Sequence, residues 1–155
     1  MFRTLSKLAG VIVFGFLLSC STKKLQTGVA TKNTVSVMTY NVHHCNPPEK
    51  VNVIDADAVA TVIRNQHADL VAVQEVDVNT NRSGKINQAE LLAQKAGYPY
   101  HYFGKAMDYD GGQYGVLILS KYPLSNTQTH ALPKSASAKD EPRVLASATV
   151  TLPNG

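Results

Sequence analysis

Leu70-Val71-Ala72-Val73-Gln74, closed by Glu75, is the stretch on which the fold class turns. It is short, β-branched and apolar on both faces, the pattern of a strand covered on two sides rather than one half-open to water. Upstream, Asp55 is placed to cap a helix in which Ala56, Val59, Ala60 and Ile63 fall at i, i+3, i+4 and i+7 and form one apolar stripe. Before that, residues 35–41 (VSVMTYN) read as a second strand apolar on both faces. Strand, helix and strand form a unit that needs covering helices, so the class is α/β. Downstream, Gln88–Ala96 (QAELLAQKA) reads as a second helix, with Lys95 in its last turn and Gly97 at the left-handed position beyond it. Strands then dominate: residues 100–105, 114–120, 125–132 and 143–152, at hairpin-like spacing. Pro153-Asn154-Gly155 carries the strongest two-residue hairpin signal, and the 155-residue sequence is expected to stop within a hairpin.

Composition bounds the rest. The 155 residues are 44% hydrophobic and 17% charged, as in one globular domain, which excludes disordered, collagenous and multi-span membrane classes. Arg3 and Lys7 precede an uncharged run, residues 8–18 (LAGVIVFGFLL), of secretory length and too short to span a bilayer. Leu17-Leu18-Ser19-Cys20 resembles a bacterial lipobox. Residues 1–19 are therefore expected to be a signal peptide and Cys20 a lipidated residue; residues 20–33 form a flexible tether and residues 34–155 the folded domain. This implies a membrane-anchored lipoprotein outside the cytoplasm, assigned to the outer membrane because Ser21 rather than aspartate follows Cys20. Beyond Ser19 there are 13 basic and 11 acidic residues, a charge of +2 with no basic cluster, which disfavours a dedicated nucleic-acid binder. Cys20 and Cys45 form no C-x-x-C pair.

The sequence contains no G-x-x-x-x-G-K-[ST], G-x-S-x-G or H-E-x-x-H. The informative polar residues close strands: Asn41 ends Met38-Thr39-Tyr40-Asn41 and Glu75 ends the stretch quoted first. On neighbouring strands they place an amide oxygen and a carboxylate at one edge, hard ligands suited to magnesium. His43-His44-Cys45 invites a zinc reading, disfavoured because consecutive residues of an extended chain point to opposite faces. Asp108-Tyr109-Asp110-Gly111-Gly112 lacks full calcium-loop spacing and reads as a hairpin turn. His67, His101 and His130 are isolated.

The ordered set of residues 38–44 (MTYNVHH), 69–77 (DLVAVQEVD), 79–93, 114–123 (YGVLILSKYP) and 141–145 (EPRVL) resembles the endonuclease/exonuclease/phosphatase superfamily, in particular a subgroup of bacterial lipoproteins. The resemblance implies a four-layer α/β sandwich of two mixed β-sheets flanked by helices, of which this chain holds about the first half. It also implies hydrolysis of a phosphate ester with Mg2+, or alternatively Mn2+ or Ca2+, as cofactor. Glu75 then matches a direct metal ligand and Asn41 a residue of the metal site. Tyr114 and Arg143 match catalytic positions that contact phosphoryl oxygens, and His43, His44 and Arg82 become candidates for substrate binding. The expected partners are a phosphate-ester substrate (lipid headgroup, sugar phosphate or nucleotide rather than duplex DNA) and the membrane, with no protein partner implied. The family's downstream Asp-x-Asn segment and late Asp-His pair are not in this sequence, and no histidine follows Arg143. The chain is accordingly expected to be half a site and inactive as it stands, with a sheet's apolar inner face left open. The alternative is a non-enzymatic, membrane-anchored lipoprotein that binds a ligand or partner.

Overall fold

The computed structural model describes residues 34–133 and 141–153. The lipobox, Cys20 and the tether lie outside these residues. The described chain runs β1 (Val37–Asn41), a single turn at His43–Cys45, α1 (Ala56–Asn65), β2 (Leu70–Val78), α2 (Gln88–Ala96), β3 (Tyr100–Tyr109), β4 (Gly112–Ser120), β5 (Leu124–Ala131) and β6 (Val144–Val150). No helix among the described residues is long and apolar enough to cross a membrane.

Four strands form a mixed sheet in the order β1-β2-β4-β3, and β5 and β6 form a second, antiparallel pair. The β1–β2 pairing is parallel, as the helix between them requires, and sets Asn41 beside Gln74. Strand alternation then sorts the side chains. Val71, Val73, Leu117 and Leu119 face α1 and α2 and are buried with Ala60, Ile63 and Leu92. Asp55 caps α1 through the Ala58 amide at 2.9 Å, Asn87 caps α2 through Glu90, and Gly97 ends α2 at φ +81°. The two helices are tied by Arg64, which donates to the Lys95 carbonyl, and by the Lys95–Asp57 ion pair.

On the opposite face β5 and β6 pack over β3 and β4. The sheets approach closely at Gly104, where a β-carbon would stand 3.1 Å from both the Ala146 β-carbon and the Thr129 hydroxyl. Tyr102 hydrogen-bonds Thr129 across the same gap. This gives the expected two sheets with helices outside. It corrects the expectation that the first strand is buried on both faces: among the described residues β1 is an edge strand, and Val37 is 68% exposed. The segment at 108–112 is the expected hairpin, with Asp110 at φ +45° and Gly111 at φ +74° as its two-residue turn.

Candidate active site

The β2 strand does not stop at Gln74. It continues to Val78 through a bulge at Glu75, where the pairing with β4 skips one residue and φ is +62°. An extra residue in left-handed conformation drops out of the ladder and re-aims its side chain. The Glu75 carboxylate meets Asn41 at the end of the adjacent strand, with Nδ2 donating to Oε1 at 2.7 Å. The Asn41 Oδ1 in turn accepts the His43 amide N–H at 2.9 Å. These neighbours fix the amide's orientation, since a carboxylate only accepts and a backbone N–H only donates. Asn41 therefore offers its nitrogen to Glu75, not the free amide oxygen read from the sequence. It steadies the carboxylate and leaves Glu75 Oε2 for a cation.

Asn41, Glu75, Tyr114 and Arg143 line one cleft of about 300 Å³, whose walls also include Gly115 and Pro142. Sequence reasoning drew these four polar residues from three strands and the start of a fourth, and the fold brings them together. Arg143 is exposed at the cleft mouth, just before β6. Burial, and then the Glu75 carboxylate, push the Tyr114 phenol up to about 12, so it remains an O–H donor at neutral pH.

Arg82, a candidate for substrate binding on sequence, sits in the turn between β2 and α2 with its charge already engaged. It clamps fully buried Asp77, with Nε to Oδ2 at 2.7 Å and an η nitrogen to Oδ1 at 2.8 Å. Its guanidinium lies over the rings of Tyr109 and Tyr114, 4.5 and 5.5 Å from the centroids. Thr80 and Ser83 also donate to Asp77, at 2.8 and 2.5 Å. Burial alone would raise the Asp77 pKa, but the hydrogen bonds from Arg82, Ser83 and Thr80 outweigh it and hold the carboxyl below its ordinary value. Buried Gln88 completes the cluster, accepting from the Asp77 amide and donating to the His44 carbonyl at 2.7 Å. Asp77 and Gln88 were not singled out from the sequence. The signal was present as an acid one residue past a buried strand's apolar run, with an arginine five residues on.

The His43-His44 segment also departs from its sequence reading. It is not extended: His43, His44 and Cys45 have φ values of +46°, +45° and +60°, three successive left-handed residues without a glycine. This tight curl brings both imidazoles to one side, with ring centroids 4.4 Å apart. Ligand atoms of His43, His44 and Glu75 all fall within 4.8 Å of one another. The opposite-faces objection therefore does not hold here. Burial, then the nearby Arg82 and His43, lower the His44 pKa and favour the neutral ring. Cys45 is buried, its thiol pushed up to about 12 by burial and then by Asp77 and Asp55, so it is neither a thiolate nor a ligand at neutral pH.

A family model described as "Endonuclease/Exonuclease/phosphatase family" matches residues 38–152. The chain belongs to this family. Its members are phosphate-ester hydrolases that commonly use a divalent metal, and the donor set here fits one: Glu75 presents a steadied carboxylate with an oxygen to spare, and magnesium needs one or two carboxylates beside water and phosphate oxygens. A family protein from Beutenbergia cavernae is 25% identical, with a TM-score of 0.64 over 77% of this chain and 35% of that one. A family protein from Leptotrichia buccalis is 19% identical, with a TM-score of 0.55 over 77% of this chain and 50% of that one. A mannosyl-6-phosphatase from Bacteroides thetaiotaomicron is 12% identical, with a TM-score of 0.50 over 74% of this chain and 45% of that one. The last two likenesses speak to the fold alone. The chain thus spans between about a third and a half of the length of these relatives. No curated protein matches the sequence.

Proposed function

We propose that this chain carries the metal- and phosphate-binding half of a divalent-metal phosphoesterase. The observation that carries the reading is the shared cleft of Glu75, Asn41, Tyr114 and Arg143. A carboxylate, a phenol and a guanidinium around one volume are complementary to a phosphoryl group beside a cation. Glu75 would hold the ion, magnesium by preference, and Asn41 would keep the carboxylate aimed. A bound ion would supply Lewis-acid polarisation of the phosphoryl oxygens. Tyr114, protonated because it is half-buried beside Glu75, would donate its O–H to a phosphoryl oxygen, and Arg143 would balance charge at the mouth. The water-activating base is assigned to no residue of this sequence.

The substrate class proposed is a phosphate ester met outside the cytoplasm, namely a lipid headgroup, sugar phosphate or nucleotide. The charge of +2 beyond Ser19 gives no footprint for duplex DNA. Cys20 would supply the lipid anchor and an outer-membrane address. In the natural protein containing this sequence, phosphate release from bis(p-nitrophenyl) phosphate or p-nitrophenyl phosphate should be abolished by EDTA and restored by Mg2+. Arg143→Ala should lower the rate by about 10²-fold. EDTA-insensitive turnover would overturn the reading.

A further inference from the structure

The two imidazoles beside Glu75 have no part in the chemistry above, yet the chain holds them there at a conformational cost. Three successive left-handed, non-glycine residues are unfavourable, and such backbone survives only where its surroundings fix it. Here the fixing contacts are specific. Gln88 holds the His44 carbonyl, Asn41 holds the His43 amide, and Cys45 is buried and accepts the Asp55 amide N–H. His43 Nδ1 lies 3.2 Å from the Asn46 carbonyl oxygen and must donate to it, so the lone pair sits on Nε2. That arrangement is how the second nitrogen of a metal-bound histidine is ordinarily oriented.

We propose that His43, His44 and Glu75 form a binding site for a borderline-soft divalent cation, zinc foremost, that shares Glu75 with the phosphoesterase cleft. The site rests on the assignment of that carboxylate to the cleft. Imidazole nitrogens suit zinc and its neighbours in the transition series, whereas an all-oxygen set suits magnesium. Two nitrogens and one carboxylate oxygen are also the ligand count of a catalytic zinc site with an open fourth position, and His43 is exposed. Ligand atoms around a tetrahedral zinc lie about 3.3 Å apart, so the three ligand atoms, all within 4.8 Å of one another, would have to draw closer on binding. Arg82, whose charge bears on His44, is itself paired with Asp77.

The test is isothermal titration of the natural protein containing this sequence with Zn2+, with Cys20→Ala in every variant to remove that thiol. His43→Asn and His44→Asn suit the left-handed backbone, and circular dichroism reports whether each variant is folded. One zinc per chain is expected, weakened roughly tenfold or more by each histidine substitution and by Glu75→Gln. Absence of binding to the parent, or unchanged zinc affinity in any of the three folded variants, overturns the proposal. If a histidine variant fails to fold, Co2+ added to the parent decides: tetrahedral d–d bands perturbed by Glu75→Gln support the site, and a purely octahedral spectrum overturns it. The phosphoesterase reading is scored separately by the Mg2+-dependent rise in melting temperature. It fails if Glu75→Gln leaves that rise intact, whatever zinc does.

Discussion

Asp77 is fully buried, and its charge is met by Arg82, Thr80 and Ser83. Removing the guanidinium leaves a buried carboxylate short of its strongest partner, so Arg82→Ala should lower unfolding free energy by roughly 3 kcal/mol in urea titration. Arg82→Lys should rescue little of this, because one ammonium cannot replace a two-point clamp. A loss below about 0.5 kcal/mol would contradict the geometry. The sign of the pH dependence follows from the depressed pKa of Asp77. Its contribution is fully present above the ordinary carboxylate pKa and is lost as pH falls through the folded value, so the parent should lose stability below about pH 4 more steeply than Asp77→Asn. Parallel pH profiles would show that the clamp is not coupled to ionisation. Individual residues were unevenly legible. Asn41 and Glu75 were marked by ending apolar strands, whereas Arg82 sits in a turn, as its sequence context implies, and its tie to Asp77 was hidden because that partner lies inside the domain.

Among the elements, α2 is pinned by Leu92, buried against the outer face of the sheet. Leu92→Ala should cost about 2–5 kcal/mol by calorimetry or urea titration, and a near-neutral effect would mean the helix is not docked as described. Gly115 is a stricter case, since a β-carbon there would collide with the Gly104 carbonyl across the β3–β4 ladder beside the cleft. Helices and strand cores could be read from periodicity and caps: Asp55 and Gly97 occupy their expected places in the structure, and Asn87 adds a cap at the start of α2 that was not singled out. Two features were not legible. The bulge at Glu75 and the left-handed turn at His43–Cys45 both need positive φ at non-glycine residues, which propensity argues against and only tertiary contacts can impose. The β2 extension to Val78 was missed for the same reason, because Glu75 interrupts the alternation that marks a strand.

At the scale of the whole molecule, the two-sheet architecture and an open apolar sheet face were legible from the order of motifs, whereas the edge position of β1 was not legible from its apolar sequence. Val37 on the edge strand β1 is 68% exposed and Leu145 on β6 55% exposed. The proposed anchor belongs to this scale too. Cys20→Ala should move the protein from the membrane fraction to the soluble fraction, and retention in the membrane would contradict lipidation there. The central claim is that the Glu75 carboxylate, set out of its strand by a bulge and steadied by Asn41, holds the catalytic cation. Its most direct test is a Mg2+ titration of phosphate release by the natural protein and by Glu75→Gln. The account expects the variant to lose about 10²-fold or more in rate and to need much higher Mg2+ for half-maximal activity. Superimposable titration curves would contradict it.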